Sequence, residues 1–330
     1  MRPTIYDVAE RAGVSIATVS RVLNGSSKAA PATREAVLQA VAELGYRPNA
    51  AARSLAGHAT DTLALVFPEI SSPFFAEIIR GAEIEARQQQ YHLLIYGIPE
   101  VGEADTLLPV LSTRVDGLIL GGHCDDAFVR SLVRQAVPFV LLGRGVEGYA
   151  VSSIQADSYN GVYEAVTHLI DHDYRRIAFI GGHVDSSQST VRFDAYRSAL
   201  ADRDWPAEPG WVMHSDFSEA GGHDTAARLL TLPQPPRAIF AANDQMAIGA
   251  IDAIRAAGLR VPEDIAVVGF DDIPVAAYVH PALTTVRRQI YESGVLAVRL
   301  LLHRIADPEI PPEHHALPTH LVVRRSCGCM

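Results

Sequence analysis

The chain has 330 residues, 48% of them apolar, three cysteines and a formal net charge of −10. That is too long for one ordinary domain and apolar enough for sizeable cores, yet no apolar run reaches membrane-spanning length and no signal-like stretch follows Met1, which points to a cytoplasmic protein. Residues 1–60 carry seven basic and four acidic side chains, a net +3 against −13 for the remainder, so a small basic head able to meet phosphates precedes a large acidic body.

The head reads as three short helices. Thr4 is placed to cap the first, with Asp7 in its first turn and Ile5, Val8, Ala9 and Ala12 on one face; Gly13 ends it and Val14 plugs the turn. Ser15 caps a second helix from Ile16 to Asn24, with Val19, Val22 and Leu23 turned inward. Pro31 starts a third, lined by Val37, Val41 and Leu44 and stopped by Gly45. A short helix, a glycine turn and a capped second helix over residues 4–24 form the pattern of a helix-turn-helix, whose second helix enters a major groove. Ile16 and Ala17 lead that helix; they can touch a thymine methyl but cannot make bidentate base contacts. Arg21, one turn on, suits a guanine or a phosphate, and Thr18, Ser20 and Asn24 carry short donors for phosphates. Thr4, Tyr6 and Ser15 complete the DNA-facing set expected of the head. A three-helix bundle that binds no DNA is the plainer reading of the same pattern.

Residues 47–60 read as a linker. Asn49 can cap a short alanine-rich helix that Gly57 ends; about two turns are marginal alone, so this helix needs a partner such as DNA. Ala52, Arg53 and Leu55 lie on it, and Leu55, with little core to join, can wedge into a minor-groove base step. From Thr62 onward, short apolar runs alternate with amphipathic segments. Predicted strands are 63–67, 93–96, 117–120, 139–142, 177–180, 238–241, 265–270 and 321–323; predicted helices include 75–89, 159–171, 244–257 and 291–304. This alternation means parallel sheets covered on both faces, in two successive lobes, with a ligand cleft outside the carboxyl ends of the strands. Ser72, Phe74, Arg144, Arg192, Asn243 and Asp271 lie just past those ends. Phe74 suits stacking on a sugar ring or a base, and Arg144, Arg192, Asn243 and Asp271 suit hydroxyls, with Arg144 also favouring an anionic group. The plainer reading of each is a loop residue that caps a helix, and Asp244 is expected to cap the helix after it.

Particular strings carry a resemblance. Tyr6-Asp7-Val8-Ala9-Glu10-Arg11-Ala12-Gly13-Val14-Ser15, Thr18-Val19-Ser20-Arg21-Val22-Leu23-Asn24-Gly25, Leu44-Gly45-Tyr46-Arg47-Pro48-Asn49 and Ala52-Arg53-Ser54-Leu55 resemble the head of the LacI/GalR repressor family. Residues 241–249, 261–272 and 281–286 resemble its effector lobe. The resemblance implies a two-lobed α/β body like the periplasmic binding proteins, with parallel sheets and three crossovers. It implies a dimer on a palindromic double-stranded DNA operator, with Leu55 wedging into the central step and Ile16, Ala17 and Arg21 reading bases. It places Phe74, Arg192, Phe217, Asn243 and Asp271 at effector-contact positions, with Arg288 beside them. The chain departs from the family at Ala30, where a Ser or Thr cap is usual, in a short segment 100–114, and at Gly143-Arg144, where some sugar-responsive members carry an acid.

The expected organisation is an all-α helix-turn-helix domain at 1–46, a hinge at 47–60, and a body at 61–330. Its lobes comprise 61–158 with 290–319, and 159–289 with 320–330. The expected function is a transcriptional regulator, a repressor acting as a homodimer under allosteric control by a carbohydrate. A nucleoside, nucleobase or phosphorylated effector is the alternative, and a solute-binding transport protein the rival class. No P-loop, G-x-G-x-x-G after the first strand or G-x-S-x-G is present, so neither an enzyme nor a cofactor is expected. Nor is a metal: Cys327 and Cys329 are one residue apart, which is not zinc spacing even with His314, His315 and His320 nearby. The C-terminus reads as an unstructured, reduced tail without a heptad repeat, hence a dimer rather than a larger assembly.

Overall fold

Helix signals in the first unit are local, and the chain obeys them. The computed structural model describes residues 3–23, 29–46, 60–97, 111, 114–122, 126–146 and 148–329. Two units emerge, Met1–Thr60 and Asp61–Met330. The first contains α1 (Ile5–Ala12), α2 (Ile16–Leu23) and α3 (Pro31–Leu44). Thr4 opens α1 by donating from its N–H and its hydroxyl to the Asp7 carboxylate, at 2.7 and 2.8 Å. These bonds from Thr4 hold the Asp7 carboxyl below its ordinary range. Gly13 takes the left-handed conformation at φ +66°, and the Val14 N–H turns back to the Ala9 carbonyl at 3.0 Å. Ser15 then caps α2, its hydroxyl accepting the Thr18 N–H at 3.2 Å. Val8, Ala9, Val19, Val22, Val37 and Ala40 form the buried core, with Ile5, Val14, Leu23 and Leu44 packed around it. Ala30 precedes Pro31 with no side-chain cap.

The second unit is two six-stranded sheets. In chain order its elements are β1 (Thr62–Phe67), α4 (Pro73–Gln88), β2 (His92–Gly97), β3 (Gly117–Gly121), α5 (Asp126–Arg134), β4 (Phe139–Leu142), β5 (Ser153–Ala156) and α6 (Ser158–Asp171). There follow β6 (Ile177–Gly181), α7 (Ser187–Ala201), β7 (Val212–His214), α8 (Glu219–Leu230), β8 (Ala238–Ala241) and α9 (Asp244–Ala256). The unit closes with β9 (Ala266–Asp271), β10 (Thr284–Arg288), α10 (Ile290–Ala306), β11 (His314–Leu317) and β12 (Thr319–Val322). The first sheet runs β11-β5-β4-β3-β1-β2, all parallel; the second runs β12-β10-β9-β8-β6-β7, parallel except for the β10–β12 pair. The chain crosses between lobes three times, at Asp157, Gln289 and Pro318.

Strand periodicity explains the layering. Leu63, Leu65 and Phe67 face a core built with α4 and α10, while Ala64 and Val66 face one built with α5. α10 returns from the second lobe and packs on α4 at contact distance. A Cβ on Gly81 would lie 2.1 Å from the Tyr291 carbonyl oxygen, and one on Gly294 would lie 2.2 Å from that of Ile78. The second lobe encloses one core around Phe179, Tyr196, Phe240 and Phe270.

Two expectations need correction. β5, β7, β10 and β11 escaped prediction because they are short and mostly polar or half-buried, and β5, β10 and β11 flank the crossovers. The C-terminal tail is not unstructured. The Ser326 hydroxyl donates to the Val267 carbonyl at 2.6 Å and accepts the Thr284 N–H at 2.8 Å, and Cys327 is fully buried.

Candidate functional site

The carboxyl ends of both sheets meet at a cavity of about 530 Å³ between the lobes. All eight residues expected at the effector site line it: Ser72, Phe74, Arg144, Arg192, Phe217, Asn243, Asp271 and Arg288. Their positions follow from helix starts. Ser72, Ser186 and Asn243 are the N-caps of α4, α7 and α9. The residue two places after each cap, Phe74, Gln188 or Gln245, therefore leans over the strand end into the cleft. Gln188 and Gln245 were not foreseen, although this offset is a sequence signal. Both join the lobes: Ser72 donates to Gln245 Oε1 at 2.8 Å, and the Gln188 amide donates to the Gly143 carbonyl.

Opposite charges sit at the floor. Arg288 Nη1 is 3.4 Å from Asp271 Oδ1, and its guanidinium lies 4.6 Å over the Phe74 ring. Arg192 stacks 3.9 Å over Phe270 and donates to the Ala242 carbonyl. Its Nε, like that of Arg288, is buried without a hydrogen-bond acceptor among the described residues. Burial lowers Arg192 to about 10, against the pull of Asp271, and lowers Arg288 as well. It raises the Asp271 carboxyl, which the two guanidinia draw back down. Arg192 is therefore still a cation at neutral pH. Asp271 holds φ +120° and Phe217 +66°, conformations that cost about 1–3 kcal/mol each and recur where ligands are gripped. Phe217 lies against Gly182, where a Cβ would meet its ring at 1.9 Å. Asn243 spends its oxygen on the Met246 N–H at 2.9 Å and one amide hydrogen on the Phe217 carbonyl at 2.8 Å, leaving one N–H for the cavity. Arg144 pairs with Asp126, so its charge is already met.

Asp244 does not cap α9; Asn243 does. The fully buried Asp244 carboxylate instead accepts the Ile273 N–H at 2.9 Å and the Thr285 hydroxyl at 2.5 Å, tying α9 to the loops after β9 and into β10. Burial, with Asp271 close by, pushes this carboxyl well above its usual value. A raised folded value means that the native state holds the proton more tightly than the unfolded chain. Stability from this group is therefore full at low pH and declines as pH rises past the ordinary carboxylate range towards the raised value. Asp244→Asn keeps the shape and can donate to Thr285. Urea unfolding from about pH 4 to about pH 8 should show the variant gaining on the parent as pH rises; parallel curves would mean that Asp244 stays ionised throughout.

On the head, Tyr6 is 68% exposed and Ile16 39% exposed, and Thr4, Ser15, Ala17 and Arg21 are exposed with them. Thr18 and Ser20 are half-buried at the margin. Ser15 and Thr18 share a hydroxyl contact of 2.9 Å, and Arg21 Nε folds back on the Ala17 carbonyl at 3.1 Å. Asn24, Asn49, Ala52, Arg53 and Leu55, together with the hinge expected at 47–60 up to residue 59 and most of 100–114, lie outside the described residues.

A capped helix-turn-helix in one unit and a two-lobed α/β unit around a charged cleft define a class: DNA-binding regulators that sense a small molecule. Residues 4–49 match the family described as bacterial regulatory proteins, lacI family, and residues 166–327 match the periplasmic binding protein-like domain. The chain is 36% identical over 329 residues to the probable HTH-type transcriptional repressor ExuR of Bacillus subtilis (strain 168), with 98% of each chain covered. It is similar to a solved transcriptional regulator CelR–cellobiose complex, with TM-score 0.77 and 37% identity over 98% of this chain and 100% of that one. It is also similar to the lac repressor dimer bound to operator and the anti-inducer ONPF, with TM-score 0.87 and 30% identity over 99% of both. The chain belongs to the LacI family of bacterial regulatory proteins. No helix among the described residues is long and apolar enough to cross a membrane.

Proposed function

We propose that this chain is a repressor that binds a near-palindromic operator as a homodimer, and that a carbohydrate in the cleft changes its operator affinity. One arrangement carries the reading: an aromatic face, Phe74, set against a buried Arg192–Asp271–Arg288 group in a cavity of about 530 Å³. The ring suits the C–H face of a sugar, and the buried charges, two of whose N–H groups have no acceptor among the described residues, suit its hydroxyls. The volume falls within the roughly 300–1,000 Å³ of small-molecule sites, and a relative is solved with cellobiose. The exposed face of α2, with residues 47–60 as hinge, serves the DNA, so the protein acts where DNA is. The lac repressor relative, solved as a dimer on its operator, supports self-association. The relatives are regulators, and no catalytic role is assigned to the cleft.

A second reading has its own support. Two guanidinia face one carboxylate at the floor, which favours an effector bearing one negative charge, such as an acid sugar. Arg144 no longer supports it, because Asp126 answers its charge. A thermal-shift panel of neutral saccharides, uronic acids, sugar phosphates and nucleosides separates these readings. A ligand at 100 times its Kd adds about 2.7 kcal/mol, and the same compound should change operator affinity by about 5- to 150-fold. A compound that stabilises the protein yet leaves operator affinity unchanged would favour simple solute binding.

A further inference from the structure

The ordered tail brings together four side chains that the cleft does not use. α6 carries His168, and His172 caps its C-terminus one turn on, the H-x₃-H spacing of structural zinc sites. The turn after β12 carries Cys327 and Cys329. His168 Nε2 stands 3.4 Å from Cys327 Sγ and 3.5 Å from Cys329 Sγ, and His172 Nε2 stands 3.1 Å from Cys329 Sγ. The ligand atoms of His168, Cys327 and Cys329 all lie within 4.8 Å of one another. Tetrahedral zinc, with bonds of about 2.3 Å to sulfur and about 2.0 Å to nitrogen, separates neighbouring N and S ligands by roughly 3.5 Å. His168 Nε2 sits about equally close to both sulfurs, the spacing expected around one shared ion.

The surroundings are built for the arrangement. Gly328 adopts φ +91°, which lets the two cysteines of a one-residue spacing face the same way. The Thr284 hydroxyl donates to Cys327 Sγ at 3.1 Å, as a partner outside a metal's own ligands does for a bound thiolate. The Tyr174 hydroxyl holds the Cys327 carbonyl at 3.2 Å. Cys327 is buried while His172 is exposed, so the cluster opens to solvent on one side. None of the four lines the cleft.

We propose that His168, His172, Cys327 and Cys329 bind one zinc ion that fastens the end of the chain to α6. Two sulfurs and two imidazoles select zinc over harder cations. His314 and His315 take no part, since His314 meets Ser153 and His315 meets Glu313, and His320 is not among the clustered ligand atoms. The tight C-x-C spacing, which argued against a metal in the sequence, is offset by the two helix histidines.

The test uses untagged full-length protein purified under reducing conditions. Elemental analysis should find one zinc per chain, and cobalt(II) loaded after chelation should give thiolate charge-transfer absorption in the near ultraviolet. Cys329→Ser, which keeps the size of a half-buried side chain, and His172→Ala, at an exposed one, should each weaken metal binding at least tenfold. Chelation should lower the unfolding temperature of the parent and not of these variants. Reduced protein that takes up neither zinc nor cobalt, or variants that retain parental affinity, would overturn the assignment. So would a Cys327–Cys329 disulfide that, once reduced, still binds no metal.

Discussion

Arg21→Ala should erase operator discrimination while leaving effector binding intact. Arg21 is the one long donor on the exposed face of α2; Ile16 and Ala17 offer only apolar contact, and Thr18 and Ser20 sit at the margin. A bidentate base contact is worth about 1–3 kcal/mol, and a dimer on two half-sites loses it twice. The expected loss is about 2–6 kcal/mol, or roughly 30-fold to 10⁴-fold in specific affinity. Breaking the exposed bond from Arg21 to the Ala17 carbonyl costs the parent little beside that gain. Fluorescence anisotropy on operator and scrambled duplexes at one salt concentration provides the measurement. Equal losses on both would make Arg21 a phosphate contact, with discrimination resting elsewhere.

The second large effect concerns the cleft, where two substitutions should separate binding from folding. Arg192→Ala removes a buried cation that stacks on Phe270 and has an N–H without an acceptor among the described residues. A charge-assisted hydrogen bond to a ligand, at about 1.5–3 kcal/mol, then vanishes. Effector affinity should fall by at least about 10-fold, and operator affinity should stop responding to the effector. Asp271→Ala should do this and also destabilise the fold, because it leaves Arg192 and Arg288 buried without a counter-charge. Removing one partner of a buried charge group costs about 3–5 kcal/mol, a fall of roughly 10 °C in Tm. Calorimetry with a ligand from the saccharide panel, alongside thermal unfolding, reads both. If both variants bind that ligand as the parent does, the cleft assignment fails.

Much of this protein was legible before any coordinates, and the reason is range. Thr4 with Asp7, Gly13, Ser15, Pro31 and Gly45 act over three or four residues, so the head could be drawn from its caps and its apolar face. Runs such as Phe139–Leu142 and Ala238–Ala241 are buried on both faces of a parallel sheet and read as strands wherever they fall. Strand ends pointed to Ser72, Phe74, Arg144, Arg192, Asn243 and Asp271, the family resemblance added Phe217 and Arg288, and all eight line one cavity.

Other features depend on distant partners. β5, β10 and β11 are too polar to read as strands, and each also pairs with a strand reached only across the crossovers, β5 with β11 and β10 with β12. Asp244 could be seen only as a cap candidate; its role is set by Ile273 and by Thr285, 41 residues away. Cys327 and His168 are 159 residues apart, and no spacing rule relates them. The sequence by itself determined the helix-turn-helix, the alternation that makes two sheets, and the residues available for a ligand, because hydrophobic period, capping and strand burial act along the chain. Only the tertiary structure decided which charges answer each other in the cleft, that Asn243 rather than Asp244 caps α9, and that the chain's end is bound into the second lobe. Those depend on contacts between segments tens of residues apart, and for the chain's end on the crossovers that return it to the second lobe.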